Sequence, residues 1–281
     1  MRIAIQGGPA SFHDVLTRTI FEETSLEVLH CDTFEQVGQL LADGSAARAV
    51  MAVENTLAGP LLNNFKLVQQ HQFHILEEHW LPIDQTLMAL PGQTLQNLQE
   101  VWSHPVALQQ CSRLFEQHPY LVATAKADTA DSARQIQEQQ LKGIGAIASL
   151  AAAALYDLTV LQAQAADTRH NYTRFFLLSK ERRGAHVPAT KASLIVPILS
   201  VNSSAALVSQ LKKILGKKLS LCQELPGGKN PELLVEVSCP NEKELIFALK
   251  KLKSLEPRVQ LLGMYQGKPA PQLSSILDSA L

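Results

Sequence analysis

The chain has 281 residues, 46% of them hydrophobic and 18% charged, with a formal net charge of -1. That composition supplies core material for about two domains, and the lack of a basic excess argues against a nucleic-acid partner. Apolar runs such as Ile144–Leu155 fall far short of the ~20 residues a membrane helix needs, so no membrane association is expected.

Met1–Ile5 starts a strand pattern at once, so no signal peptide is expected. Cys31, Cys111, Cys222 and Cys239 are widely spaced without a CxxC pair, as expected of free thiols in a reducing cytoplasm. Ile3-Ala4-Ile5 leads into the small cluster Gly7-Gly8-Pro9-Ala10-Ser11, then Phe12, Leu16 and Ile20 at helical spacing. The unit recurs. Ala49–Val53 leads into Glu54-Asn55-Thr56, with Pro60 suited to a first helical turn. Val101-Trp102 leads into Ser103-His104 with Pro105 at a helix start, and Ile144–Ala148 leads into Ser149 and an alanine-rich helix.

Such alternation predicts a mostly parallel α/β sheet. In these sheets ligands gather beyond the carboxyl ends of strands, where helix N-termini offer free N–H groups to anions. The junctions bring Ser11, Asn55, Thr56, Ser103 and Ser149 to pocket positions around a small anionic ligand. Each serine taken alone is explained as well or better as an N-cap, and the two roles are compatible.

Other chemistries find less support. His71, His74 and His79 lie near Glu77 and Glu78 without an HExxH pattern, and read as a solvated helix-to-strand connection, so no metal is expected. Neither GxGxxG nor GxxxxGK[ST] occurs, which argues against a nucleotide cofactor. Ser103 and His104 are adjacent, but neighbouring strand side chains diverge and no GxSxG elbow is present, which disfavours a hydrolase triad.

The stretch His170–Ser179 (HNYTRFFLLS) sets Thr173 and Arg174 directly before the apolar run Phe175–Leu178, a buried strand. Arg is costly to bury alone. Arg174 therefore reads either as a carboxylate fork in a ligand site or as a structural ion-pair partner. Lys180–Lys191 is charged and carries Gly and Pro, which marks a linker at residues 181–191. Beyond it the pattern becomes strand (Ala192–Leu199), helix (Leu207–Leu215), strands Leu219–Leu225 and Leu233–Val237, a helix capped by Asn241, and strand Val259–Met264. That order, βαββαβ, is the ferredoxin-like unit.

Taken together the clusters resemble the prephenate dehydratase family. Gly7–His13 (GGPASFH), Val53–Gly59 (VENTLAG), Ser103–Cys111 (SHPVALQQC), Gly145–Leu158 (GAIASLAAAALYDL) and Asn171–Leu178 (NYTRFFLL) are similar to its motifs, in the expected order. The C-terminal module resembles the ACT regulatory domain that follows in this family. Two places depart from the pattern: the opening has Gly-Gly-Pro-Ala rather than Gly-Pro-x-Gly, and Leu225 stands where the regulatory motif has Arg.

The resemblance implies a two-lobed, periplasmic-binding-protein-like catalytic domain over 1–180, with one lobe from about 1–76 plus 168–181 and the other from 77–167. An ACT domain over 192–272 and a tail over 273–281 would follow. The implied activity is cofactor-free decarboxylative dehydration of prephenate to phenylpyruvate, with arogenate dehydration or a non-catalytic aromatic-metabolite sensor as alternatives. Thr173 would assist the leaving hydroxyl, supported by Asn55, Ser103 and Gln110, with Glu54 in a catalytic or structural place. Arg174, Ser11, Phe12, Thr56 and Ser149 would bind substrate. Phenylalanine would bind as an effector near Ala205, Ala206, Leu207 and Val208 and near Gln223, Glu224, Leu225 and Pro226, in a homodimer or homotetramer.

Overall fold

In the computed structural model the described residues are 1–21, 25–182, 188–198, 204–227, 230–269 and 271. The expected tail at 273–281 and linker residues 183–187 lie outside them. The described residues form three sheets. The first contains β1 (Arg2–Gln6), β2 (Glu27–Cys31), β3 (Arg48–Asn55), the short β4 (Gly59–Pro60) and β5 (His74–Pro82), interleaved with α1 (Phe12–Ile20), α2 (Phe34–Ala42) and α3 (Leu62–Gln70). The second contains β6 (Thr86–Ala89), β7 (Glu100–Ser103), β8 (Val122–Ala125), β9 (Ile144–Ala148) and β10 (Thr159–Gln162), with α4 (Pro105–Gln109), α5 (Ser112–Gln117), α6 (Thr129–Glu138) and α7 (Leu150–Leu155). β11 (Tyr172–Ser179) then returns to the first sheet, between β3 and β5, giving the order β2-β1-β3-β11-β5.

The strands of the first sheet are apolar in runs because both faces are covered. Ile3, Ala4 and Ile5 are all fully buried, as is most of β3. Helix starts are set by side-chain caps: Ser11 accepts from Asp14 N, Thr33 and Gln36 form a capping box, and Asp128 accepts from Asp131 N.

Four sequence expectations need correction here. The sheets are mixed rather than mostly parallel, with β11 antiparallel to both β3 and β5, and β6 antiparallel to β9 and β10. A chain returning from the second lobe enters the first sheet from the cleft end, so β11 must run against β3. Pro60 does not start a helix; it lies in β4 against Glu54, and α3 begins at Leu62. The stretch around His74–His79 is no solvated connection but the body of β5, with Ile75 and Glu78 buried, and the chain leaves the first sheet after Pro82 rather than near residue 76.

The third sheet follows the βαββαβ expectation: β12 (Lys191–Pro197), α8 (Ser204–Leu215), β13 (Leu219–Glu224), β14 (Glu232–Ser238), α9 (Glu242–Leu255) and β15 (Gln260–Tyr265), in the order β13-β14-β12-β15, antiparallel throughout. One face packs Leu194, Val196 and Val235 under Leu211, Leu215, Leu245 and Leu252 of the two helices. The other face shares a core with the first sheet, where Ile195, Leu225, Leu234, Leu262 and Tyr265 meet Phe65, Phe73, Ile75 and Phe176. Contact there is close enough to require glycine: a Cβ on Gly263 would lie 2.6 Å from the Ile75 carbonyl oxygen. Among the described residues no helix is long and apolar enough to cross a membrane.

Candidate active site

The two lobes enclose a cleft of about 520 Å³ where the ends of β1, β3, β7 and β8 face the returning crossover. From the first lobe it is lined by Ser11, Phe12, His13, Asn55 and Thr173, and from the second by Gln85, His104, Gln110 and Asp128. Asn55 is the hub. Its Nδ2 donates to Asn171 Oδ1 (2.8 Å) and to Thr173 Oγ1 (3.0 Å), while its Oδ1 accepts from Leu57 N and Ala58 N, both at 3.0 Å. Asn171 Nδ2 passes the chain on to Gln110 Oε1 (2.9 Å) at the end of α4. An amide relay thus runs from the second lobe across the crossover to the first.

The register places this hub without special pleading. Thr173 lies opposite Asn55 on the β3–β11 ladder, so their side chains project to one face. Thr173 Oγ1 accepts from Asn55, and among the described residues no acceptor takes its own O–H, which is left to donate into the cleft.

Charge in the cleft is unusual. Asp32, Glu35 and Asp128 line it with His104, and among the described residues neither Lys nor Arg does. Positive potential comes instead from backbone: the N-termini of α1, α2, α4 and α6, capped by Ser11, Thr33, His104 and Asp128, all open onto the cleft. Burial holds His13 neutral, its pKa lowered to about 3, and its Nε2 accepts from Ala52 N at 3.2 Å. Burial likewise raises the Asp128 carboxyl, against two backbone donors that favour its ionised form.

Several residues expected at the site lie elsewhere. Arg174 is fully buried on the opposite face of the ladder from Thr173, because adjacent strand residues alternate. It donates to Glu78, Glu54 and Glu236 rather than to a ligand. Glu54, its register partner, points the same way. Ser103 is likewise buried behind the wall, where its hydroxyl donates to Ile147 O (2.6 Å) and ties β7 to β9; the cap and the cleft position fall to His104, whose Nδ1 accepts from Val106 N. Ser149 caps α7 and donates to Ala10 O (2.6 Å), a clasp between the lobes. Thr56 pins the crossover, donating to His170 O and accepting from Tyr172 N. Ser11, Phe12, Asn55, Gln110 and Thr173 are the expected residues that line the cleft.

Sequence reasoning overlooked His13, Gln85, His104, Asn171 and Asp128. His13, His104 and Asn171 lay inside motifs already singled out, and period-two alternation from Ser103 would have turned attention to His104. Among the described residues Gln85 Oε1 is buried with no partner, an unsatisfied acceptor beside the relay.

In the third sheet, Ala205–Val208 lies in the first turn of α8, with Leu207 turned into the core. Gln223 and Glu224 end β13, and Ser204 Oγ donates to Glu224 (3.2 Å), which brings the two stretches together. Leu225 is buried in the core shared with the first sheet, and Pro226 O accepts from Lys66 of α3 at 2.8 Å. A buried apolar side chain makes Leu225 a packing residue, not a ligand contact.

Residues 3–183 match the family model described as prephenate dehydratase. Among curated proteins, arogenate dehydratase 1 of Petunia hybrida is 37% identical over 182 residues, 64% of this chain and 42% of that protein. This chain therefore spans less than half the length of that plant relative. A bifunctional N-acyl-homoserine lactone acylase/prephenate dehydratase of Komagataeibacter europaeus is 29% identical over 275 residues, covering 95% of this chain and 96% of that one. The solved structure of a prephenate dehydratase from Arthrobacter aurescens in complex with L-Phe superposes with a TM-score of 0.83 at 22% identity, over 100% of this chain and 97% of that chain, and so shares its fold.

Proposed function

We propose, from the premise that this chain belongs to the prephenate dehydratase family, that it converts prephenate to phenylpyruvate, carbon dioxide and water. The observation that carries the reading is the Asn55–Thr173 hydrogen bond in an interlobe cleft into which four helix N-termini open. In the reaction the bond from the ring to its carboxylate breaks, the electron pair completes the aromatic ring, and the opposite hydroxide leaves and takes a proton. Thr173 donates a hydrogen bond to that leaving oxygen. Donation from Asn55 polarises the Thr173 hydroxyl and strengthens it as a donor while charge develops. The substrate's side-chain carboxylate is held by backbone N–H groups at the start of α1, beside Ser11 and Phe12. Gln110 and Asn171 keep the lobes at a fixed spacing around it.

A second reading has its own observation. A cleft lined, among the described residues, by Asp32, Glu35 and Asp128 without Lys or Arg suits a substrate bearing an ammonium group, and the Petunia relative is named an arogenate dehydratase. Purified protein incubated separately with prephenate and with arogenate, with phenylpyruvate and phenylalanine followed by chromatography, decides between them. Turnover of neither rejects both readings and leaves a binding protein. An N-acyl homoserine lactone in a parallel reaction tests the other activity named for the Komagataeibacter relative.

Regulation by phenylalanine at Ala205–Val208 and at Gln223, Glu224 and Pro226, with Leu225 left to packing, is the third part of the proposal, consistent with the same fold having been solved with L-Phe. Assembly as a homodimer or homotetramer is supported by the sheet edges β13 and β15 and by Ile246, Phe247 and Leu261, which are 40, 57 and 44% exposed. Calorimetry with phenylalanine and light scattering on the full chain test the two; no binding at millimolar ligand, or a monomeric mass, rejects each in turn.

A further inference from the structure

Among the described residues the most heavily bonded side chain lies one residue from the candidate donor, on the far side of the same ladder. Arg174 is fully buried, and its five N–H groups reach four elements besides its own strand. Nε donates to Glu78 on β5 (2.6 Å), and Nη1 donates to Glu54 on β3 (3.2 Å). Nη1 and Nη2 form a fork to the two carboxylate oxygens of Glu236 on β14 (2.9 and 3.0 Å), and Nη2 also donates to Tyr265 on β15 (3.0 Å). Glu236 is fixed in turn by Ser193 of β12 at 2.6 Å. Three adjacent strands of the third sheet therefore grip one guanidinium of the first.

A second observation gives this grip a function. The β3–β11 ladder is interrupted at this point: Arg174 pairs with Glu54, and Phe175 then pairs with Ala52, so the register shifts between them. A bulge loosens the ladder's control over local backbone and re-aims the side chains beside it. β11 stays paired in register with β5 from Tyr172 to Leu177, so the backbone is held from that side while the break on the β3 side leaves the direction of the Arg174 side chain to be set. The fork sets it, since a bidentate Arg–carboxylate pair constrains direction as well as distance.

We propose that Arg174 is a positioning residue through which the third sheet, by way of Glu236 and Tyr265, sets the geometry of the Thr173–Asn55 pair. The kinetic consequence rests on the dehydratase reading above. Movement of the third sheet, from whatever cause, reaches the cleft through this contact: a shift of Glu236 drags the guanidinium, and with it the backbone step that carries the Thr173 hydroxyl. Misplacement of a donor by a fraction of an ångström weakens catalysis more than binding, because alignment counts most in the transition state.

The test uses the full chain. Glu236→Gln keeps the volume and the Ser193 bond but removes the charge that orients the fork. It should lower kcat roughly tenfold with KM within about twofold, and shift the amide resonances of Thr173 and Asn55 in isotope-labelled protein. Arg174→Lys, which keeps charge without the fork, should not rescue. Tyr265→Phe, which removes one neutral partner, should move both readouts in the same direction by less. Leu262→Ala, in the shared core but outside the network, should lower Tm while leaving kcat and those two resonances in place. Wild-type kcat with unshifted amides in folded Glu236→Gln overturns the proposal, and so does a rise in KM at constant kcat. If Glu236→Gln does not fold, Tyr265→Phe decides by the same readouts. A wild-type protein that turns over neither prephenate nor arogenate rejects the dehydratase reading, and the amide shifts then decide the positioning role on their own.

Discussion

The two faces of the β3–β11 ladder carry opposite chemistry within one residue step. Toward the cleft stand Asn55 and Thr173, neutral, joined by one hydrogen bond, with a donor left over. Toward the third sheet stand Glu54 and Arg174, ionised and, for Arg174, saturated with partners. Neutral groups on the cleft face cost little to desolvate and keep capacity for a substrate. Ions on the reverse face stabilise only as a complete set, because removing one member strands the others away from water. Function belongs to the under-satisfied face, and rigidity to the saturated one. This difference makes substitutions on the two faces separable.

The largest expected effect is on the saturated face. Arg174→Met leaves Glu78 and Glu236 buried without their main counter-charge. Burial by itself pushes the Glu236 carboxyl up; Arg174 and Lys191 outweigh it and hold the pKa at about 2. Losing Arg174 should cost about 3–5 kcal/mol of unfolding free energy, read from urea denaturation at neutral pH. A loss under about 1 kcal/mol would mean that water or Lys191 replaces the guanidinium, and the contrast between faces would fail. On the other face, Thr173→Ala should leave the urea midpoint nearly unchanged and lower kcat by roughly 100-fold or more, the magnitude for removing one transition-state donor. Near-normal turnover in that variant would remove Thr173 from the chemistry.

The same contrast explains which parts of the molecule could be read from the chain. Asn171–Leu178 and Val53–Gly59 declared themselves because a hydroxyl, an amide and charges stood at the edge of apolar strands. The βαββαβ module was equally plain, since its strands and helices are short, local and bounded by turn residues. What could not be read was which way each side chain points and what meets it. Glu236 lies 62 residues beyond Arg174 and Glu78 lies 96 before it. No local pattern links a charge on β5 to one on β14, so Arg174 as a ligand fork and as an ion-pair partner were equally open. The bulge at Arg174–Phe175 and the swap of roles between Ser103 and His104 are matters of register, which sequence periodicity leaves open by one residue.

A smaller effect comes from His13, buried between the sheet and α1 with its ring edge-on to Phe175 at 4.9 Å. Its pKa is about 3 in the fold and near 6.5 when exposed. In that window the unfolded chain binds the proton and the folded one does not, so stability falls as pH falls. The slope is about 1.4 kcal/mol per pH unit below pH 6.5. Between pH 6.5 and 5 the depressed carboxyls Asp14 and Glu236, both near 2, do not yet titrate in the folded state. Denaturation series at pH 7, 6 and 5 on wild type and His13→Gln should differ in slope by about this amount, with the variant flatter. Parallel slopes would show that His13 is protonated in the folded protein.

The smallest predicted effect tests the boundary between the two kinds of residue, at Ser11. Its hydroxyl caps α1, accepting from Asp14 N at a long 3.3 Å, and it lines the cleft beside Phe12. Gly7 lies directly over it, where any side chain would crowd the cap, since a Cβ there would be 3.1 Å from the Ser11 hydroxyl. The carboxylate site we propose is built from backbone N–H groups, with Ser11 holding the turn that presents them. Ser11→Ala should therefore cost about 1 kcal/mol of stability, the usual worth of a serine cap. KM should rise by roughly threefold at nearly constant kcat, since the lost orientation weakens ground-state and transition-state binding alike. A KM rise beyond about 30-fold would make the Ser11 hydroxyl itself the carboxylate ligand, and an unchanged KM would move the carboxylate away from α1 altogether.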